Sequence, residues 1–372
     1  MESGVTAGHE RFRRLRRGRT GSTIALSLAL LASGAAAPAL RAQSSGVSPA
    51  DDAFHYSSWA GGTYDAAYTE WWYFNVFDER SGVQAIVSYF VTNPANIGGR
   101  GQALLAAVAY TARGVVSEAD AYAPGAFSAT EQQADVTLGE SSVRVGDDGE
   151  YRIAGASRDG RLSWDLTYTP LLDPLFAADR VTVGSLPWER MSWLVYMPRA
   201  SVTGRLIVDG QAYEIDAPGY HDHNWGEWFP PDALWNWAQF SDARVALEMG
   251  DFIGRKAGVV SVDFGGRRTV FGKGHYWLLH TRWTQDRGSG VWYPTETLLV
   301  AGDDTRWLWA TIRAIATAPL VSDLPAPLPD VIVYEQTARY DGMLWEKDQQ
   351  GQWVAATPLR GNGFKEYTAN RY

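Results

Sequence analysis

The sequence predicts an all-β protein of two domains, each a sandwich or a barrel. Short runs rich in β-branched and aromatic residues recur about every ten residues from Tyr68 onward, separated by Gly, Asp and Asn turns. Past the N-terminal segment no long stretch carries the helical period, and 372 residues are too many for one ordinary core.

Residues 1–42 stand apart from this pattern. "RFRRLRRGR" followed by "STIALSLALLASGAAAPAL" reads as a basic region and a short apolar region, the arrangement of a cleavable export signal. Cleavage could follow Ala39 or Ala42, and the paired arginines fit a twin-arginine signal loosely. The apolar run is broken by Ser, Gly and Pro and is shorter than the ~20 residues of a spanning helix, so retention at the membrane would require the signal to stay uncleaved. The expected location is therefore the periplasm or the exterior, and peripheral membrane contact stays open.

Without residues 1–42 the chain holds 26 basic and 40 acidic residues, a net charge of −14. Such a surface repels phosphate backbones, and no basic stripe is present, which argues against nucleic acid as a partner. The chain has no cysteine, so disulfides, thiolate nucleophiles and zinc–thiolate sites are excluded. The 17 Trp, 18 Tyr and 13 Phe supply apolar surface to spare for a ligand cavity. No P-loop, GxGxxG, GxSxG or HExxH pattern occurs, so nothing in the sequence points to a nucleotide or other cofactor. Oligomeric state is not encoded in any motif.

The strands expected in order begin with "WWYFNVFD" and "VQAIVSYFVT". A stretch at 112–129 could hold one short helix. "LSWDLTYTP", "SWLVYMP", "GRLIVDG" and "QAYEID" follow as strands. The prolines of "FPPD", Phe229 to Asp232, end the strand before them and divide the chain into residues 43–230 and 231–372. "ARVALEM", "KAGVVSVDF" and "WLWATIRAI" continue the β pattern, and the Pro-rich stretch 318–330 reads as a linker or covering loop.

Two aromatic motifs carry the chemistry. In "TEWWYFNV" a strand would place Glu70, Trp72 and Phe74 on one face and Trp71, Tyr73 and Asn75 on the other. Both faces are apolar enough to be buried, which in a barrel means one toward the lumen and one under a second domain. Glu70 is then either a functional carboxylate beside aromatic rings or a strand-end residue in solvent or paired with arginine. In "GYHDHNWGEW" an extended chain places Tyr220, Asp222 and Asn224 on one side and His221, His223 and Trp225 on the other.

That split separates two chemistries. His221 and His223 with Glu227 form half of a cupin-like metal signature, and the remaining histidines, His55, His275 and His280, do not complete it in sequence. The reading is therefore of no metal. On the other side, an Asp222 carboxyl flanked by Tyr220 and surrounded by tryptophans would be desolvated and protonatable near neutrality. Such an acid can protonate an alkene or carbonyl, and tryptophan faces would stabilise the resulting cation. A structural Asp222 that caps a turn or pairs with Arg199 or Arg205 is the alternative.

"EWWYF", "GYHDHNWG", "WNW" (235–237) and "GNGFKEYT" (361–368), in this order, resemble the AttH/carotenoid 1,2-hydratase family, which includes hydroxyneurosporene synthases and is related to kievitone hydratase and fungal Diels–Alderases. The resemblance covers most of the chain after residue 42 and implies two lipocalin-like barrels, a pocket near their junction and cofactor-free chemistry on polyene, terpenoid or prenyl substrates. It also implies that Tyr220 and Asp222 protonate an isolated alkene. Two departures stand out: Met191-Ser192-Trp193 has no histidine where the hydratases carry one, and the tail reads Thr368-Ala369-Asn370 instead of Thr-Gly-Tyr. Hydration thereby loses a candidate base for water, while isomerisation and cyclisation stay open.

The expectation is an exported enzyme acting on an apolar unsaturated molecule. Asp222 is its acid, Tyr220 the partner of that acid, and Glu70 or His221 the group handling water or the departing proton. Trp71, Trp72, Trp193, His223, Asn224, Trp225, Trp235 and Trp237 are expected to line the substrate site. The competing reading is a non-catalytic carrier of a lipid or pigment in the same barrel.

Overall fold

The computed structural model describes residues 46–322 and 330–371, so the export signal assigned to residues 1–42 lies outside them. Twelve strands form the first sheet: β1 (Tyr68–Asp78), β2 (Val83–Thr92), β3 (Gln102–Thr111), β4 (Gly114–Tyr122), β5 (Phe127–Ala129), β6 (Val136–Leu138), β7 (Ser141–Val145), β8 (Tyr151–Ala156), β9 (Leu162–Pro170), β10 (Leu175–Thr182), β11 (Arg190–Val208) and β12 (Gln211–Glu227). Their order is β4-β3-β2-β1-β12-β11-β9-β8-β7-β6-β5, with β10 paired to β11, and the sheet curls into a nearly closed barrel. Closure is visible in the core, where Trp72 and Phe74 of β1 and Leu105 of β3 share one buried cluster with Val136, Ile153 and Leu166 from the far end of the sheet.

Nine strands form the second sheet: β13 (Trp235–Ser241), β14 (Val245–Phe252), β15 (Gly258–Phe264), β16 (Arg267–Gly272), β17 (Tyr276–Gln285), β18 (Trp292–Gly302), β19 (Arg306–Ser322), β20 (Asp330–Lys347) and β21 (Trp353–Arg371). It runs β16-β15-β14-β13-β21-β20-β19-β18-β17 and stays open as a half-barrel, with no ladder joining β16 to β17. Its concave side is filled by Phe240, Leu247, Val260, Leu308, Tyr340 and Leu359. The protein is thus the all-β, two-domain lipocalin-like fold expected, with the second barrel less complete than the first. Between the sheets, Pro230–Asp232 form a single 3-10 turn, where the two prolines can neither extend β12 nor begin β13.

Two local expectations are corrected. The stretch 112–129 holds no α-helix, because β4 is paired along its length with β3 and only Pro124–Ala126 turn, as a 3-10 segment. The Pro-rich stretch is not a linker at its start: Ala318 to Ser322 extend β19 and pair with Val331 to Glu335 of β20, while residues 323–329 lie outside the described part. Pro319 is accommodated opposite Tyr334 near the end of that long hairpin.

The alternation along β1 is the key to the architecture. Trp72, Phe74 and Val76 point into the first barrel, whereas Trp71, Tyr73 and Phe77 point outward into a second buried cluster. That outer cluster joins Ile86, Met191, Trp193 and Tyr220 of the first sheet to Trp237, Phe252, Val259, Ala318 and Phe364 of the second. A strand apolar on both faces is what a barrel wall covered by another domain requires. The contact is intimate enough to need glycine: a Cβ on Gly250 of β14 would collide with the ring of Trp193.

Candidate functional site

Antiparallel register sorts the motif residues onto two sides of one wall. On β1 and β12, Tyr73 is opposite Asp222 and Trp71 opposite Asn224, while Trp72 is opposite His223 and Phe74 opposite His221. On β11, Trp193 is opposite Asn224. Cross-strand neighbours share a face, so Trp71, Tyr73, Trp193, Tyr220, Asp222 and Asn224 look toward the second domain. Glu70, Trp72, His221, His223 and Trp225 look into the first barrel or its end. The β13 residues Trp235 and Trp237 join the first group across the domain seam.

The interdomain group encloses a cavity of about 50 Å³ lined by Trp71, Tyr73, Met191, Trp193, Asp222, Asn224, Trp235, Asn236, Trp237, Asp251 and Glu366, among others. Asp222 is 3% exposed and its carboxyl is held on three sides. The Tyr220 hydroxyl donates to Oδ2 at 2.7 Å, Trp193 Nε1 donates to the same oxygen at 2.9 Å, and Asn224 Nδ2 donates to Oδ1 at 3.1 Å. Burial raises the Asp222 carboxyl to about 6, against the lowering effect of the Tyr220 and Trp193 bonds. Tyr220 itself is pushed well up by burial and by the Asp222 charge, so it stays a neutral donor. Neither Arg199 nor Arg205 approaches the carboxyl: Arg199 reaches the Asp242 carbonyl and Arg205 pairs with Glu214.

A carboxyl that titrates near neutrality, with Oδ2 occupied by two donors and Oδ1 by one, can deliver a proton from Oδ1. An apolar groove of about 160 Å³ adjoins the cavity, since Trp71 and Trp235 line both. Phe90, Leu104, Trp228, Leu320 and Val333 complete its walls. A larger cleft of about 370 Å³ along the seam is lined by Asp78, Arg80, Asp216, Asp242 and Arg360. Its open, charged lining does not suit an apolar molecule.

Glu70 and His221, expected as partners of Asp222, lie on the opposite face of the sheet from its carboxyl. They belong to a buried network inside the first barrel. Glu70 is fully buried, neither at a solvent-exposed strand end nor paired with arginine. His223 Nε2 lies 2.8 Å from Glu70 Oε1, His55 Nδ1 lies 3.3 Å from the same oxygen, and the Tyr68 hydroxyl donates to Oε2 at 2.5 Å. Asp52 continues the chain, 3.2 Å from His223 Nδ1 and 3.0 Å from His221 Nε2, and accepts from the Tyr151 hydroxyl at 2.8 Å. Burial pushes both carboxyls up, but the histidines outweigh it and hold Asp52 and Glu70 below the usual range. Burial pushes His223 down, and its bonds to Asp52 and Glu70 outweigh that and raise it.

The rings of this network are packed as well as bonded. His221 stacks on Phe74 at 4.0 Å, His223 on Trp72 at 4.4 Å, and His55 on Trp225 at 3.9 Å. Trp72, His223 and Trp225, expected at the substrate site, are therefore wall and core of the first barrel. The metal arrangement weighed from the sequence is also redrawn. Glu227 does not join His221 and His223; instead His55 Nδ1, Glu70 Oε1 and His223 Nε2 come within 4.8 Å of one another, a set able to ligate a divalent cation. In the structure these donors are engaged with one another and with Asp52 and Tyr68.

Sequence reasoning missed Glu366, a residue of the interdomain cavity wall, and Glu335, its buried partner on the neighbouring strand. Glu366 sits within "GNGFKEYT", and its register partner Trp237 sits within "WNW". A charged residue in a strand paired to that aromatic run was the available signal, visible only once β13 and β21 are known to be neighbours.

No protein-family model matches the sequence, and no curated relative matches it. Solved structures do. A crystal structure of an AttH-designated protein from Nitrosomonas europaea superposes with a TM-score of 0.65 at 15% identity, covering 86% of this chain and 97% of that one. The fold is the AttH-type lipocalin-like fold. Kievitone hydratase from Nectria haematococca shares it with a TM-score of 0.56 at 15% identity, over 80% of this chain and 87% of that one. CghA in complex with Sch210972 does so with a TM-score of 0.53 at 14% identity, over 82% and 89%. In this chain the interdomain cavity lies where the two sheets bury their shared aromatic seam.

Proposed function

We propose that the protein is a cofactor-independent enzyme that protonates an apolar unsaturated molecule, of the polyene, terpenoid or prenyl kind, in the cavity between its two domains. Asp222 is the general acid. Tyr220 and Trp193 hold its Oδ2, and Trp71, Trp235 and Trp237 form walls whose faces stabilise positive charge on the substrate. The observation that carries this reading is a carboxyl poised at about 6 in a tryptophan-lined cavity that adjoins an apolar groove. The fold shared with kievitone hydratase supports hydration or a related rearrangement as the reaction class. The missing histidine before Trp193 and the position of Glu70 behind the wall favour isomerisation or cyclisation over hydration. We further infer that this chemistry follows export, from the character of residues 1–42.

A positioned acid supplies about 10²–10⁴ in rate, so confinement of the substrate must contribute the rest. The test is Asp222→Asn, assayed in D₂O against a panel of prenyl alcohols and polyenes with deuterium incorporation as the readout. The amide keeps volume and hydrogen bonds but has no transferable proton. Incorporation should fall by at least about 10²-fold with the melting temperature little changed. Full incorporation together with a lowered melting temperature would overturn the assignment. A carrier of apolar molecules is the second reading, favoured by the groove alone; it requires that the wild-type protein bind panel members without any incorporation.

A further inference from the structure

Asp222 accounts for one wall of the cavity, and the second domain builds the other. β20 and β21 set Glu335 directly opposite Glu366, and β13 sets Trp237 opposite Glu366 on its other side. Both carboxylates are buried, at 5% and 8% exposure. Trp235 Nε1 donates to Glu366 Oε2 at 2.8 Å, and the Tyr110 hydroxyl of the first domain donates to the Glu335 carbonyl at 2.9 Å, which ties the pair to the seam. Two carboxyls buried directly opposite one another on paired strands repel when both are charged, which favours retention of a proton by the pair. Burial, then the proximity of Glu366, holds Glu335 well above the usual range; burial raises Glu366 to about 7 against the Trp235 bond, and the Asp222 charge adds to both. Asp222 and Glu366 therefore line one cavity with Trp71, Tyr73, Trp193, Trp235 and Trp237, Glu335 lies buried opposite Glu366 on the paired strand, and among the described residues no arginine or lysine hydrogen-bonds to any of the three carboxyls.

Acidic groups inside a ring of tryptophan faces form a receptor for positive charge. We propose that Glu366, backed by Glu335, is the acid–base group facing Asp222, and that the two walls together bind a cationic centre carried on an apolar body. The proposal rests on the reading of Asp222 as acid. In the forward step the π pair of the alkene takes the Asp222 proton, forming a C–H bond and leaving a carbocation beside an Asp222 carboxylate. Glu366 then removes a proton from the neighbouring carbon, whose C–H pair becomes the new π bond. The substrate is isomerised with no net gain or loss, and the proton returns from Glu366 to Asp222 through the cavity. An alkylammonium ion is a stable mimic of the intermediate.

The experiment titrates the full-length protein with octyltrimethylammonium, octanol and octanoate while tryptophan fluorescence is read. The ammonium should bind at least about tenfold more tightly than octanol at about pH 8, and octanoate should not compete. The preference should shrink toward about pH 5 as Asp222 and Glu366 take up protons; the other titratable groups facing Glu366 are Glu335, Tyr73 and Tyr110, with the Asp251–Lys273 pair nearby on the cavity wall. Glu366→Gln, which keeps an acceptor for Trp235, should abolish the preference, and Glu366→Asp should retain it. Equal binding of ammonium and octanol, or a preference that survives Glu366→Gln in a folded protein, overturns the proposal. Failure of Asp222→Asn to affect deuterium incorporation would instead strike the Asp222 reading and leave a cation-binding cavity standing.

Discussion

Asp222 and His223 are consecutive residues that serve two separate interiors. The Asp222 carboxyl accepts from Trp193 and Tyr220 between the domains, while the His223 ring bridges Asp52 and Glu70 inside the first barrel. One strand thus carries the proposed reactive face and a structural face, and each can be perturbed without entering the other.

Trp193 lowers the proton affinity that burial gives the Asp222 carboxyl. Its indole N–H stabilises the charged carboxylate, so Trp193→Phe should raise the Asp222 value further above about 6. Turnover that requires protonated Asp222 falls as pH rises through that value, and the variant should move the fall upward by about one to two pH units, given about 1.5–3 kcal/mol for a hydrogen bond to a charged group. A pH–rate profile checks this; an unmoved limb means that Asp222 does not govern it.

The lumen network is expected to be a matter of stability. Glu70→Gln breaks a buried pairing with His223 and should cost about 3–5 kcal/mol while turnover per folded molecule is retained. Glu70 is held below its usual range in the fold, so its contribution is present above the unfolded value and is lost as pH falls through the folded one. His223 is raised, so its share is full below the ordinary imidazole value and is lost as pH rises through the folded value. Melting curves across pH should therefore show the largest deficit of Glu70→Gln between those limits. Chelation should leave the wild-type curve unchanged if the network runs on protons, and a lowered curve would point to a cation at His55, Glu70 and His223.

Glu248 of β14 is 1% exposed on the domain seam, and burial, reinforced by Asp263, pushes it well above the usual carboxyl range. The unfolded chain loses this proton at lower pH than the folded one, so stability falls as pH rises above the ordinary carboxylate value. Glu248→Gln removes that loss. It should raise the melting temperature at about pH 8 and leave it unchanged at about pH 4. An equal shift at both values would assign the effect to packing.

Much of the fold and part of the site were legible in the sequence. Alternation in "TEWWYFNV" and "GYHDHNWG" has a period of two, and that period alone assigned Glu70 and Trp72 to one face, Trp71 and Tyr73 to the other, and Asp222 opposite His221 and His223. Prolines at Pro230 and Pro231 marked the break between sheets for the equally local reason that they cannot continue a ladder. Which of the two faces met the second domain was not local. It depended on β1 pairing with β12 over a separation of about 150 residues, which put Glu70 behind the wall with His223 and His55 and removed it from the reach of Asp222. Glu335 and Glu366 show the same limit, because only the register of β20, β21 and β13 brings them to Trp237 and the seam. Side-chain direction follows from backbone geometry that each residue carries with it, whereas the partner of a face, and with it the burial that raises Asp222 and Glu366, is decided by long-range pairing.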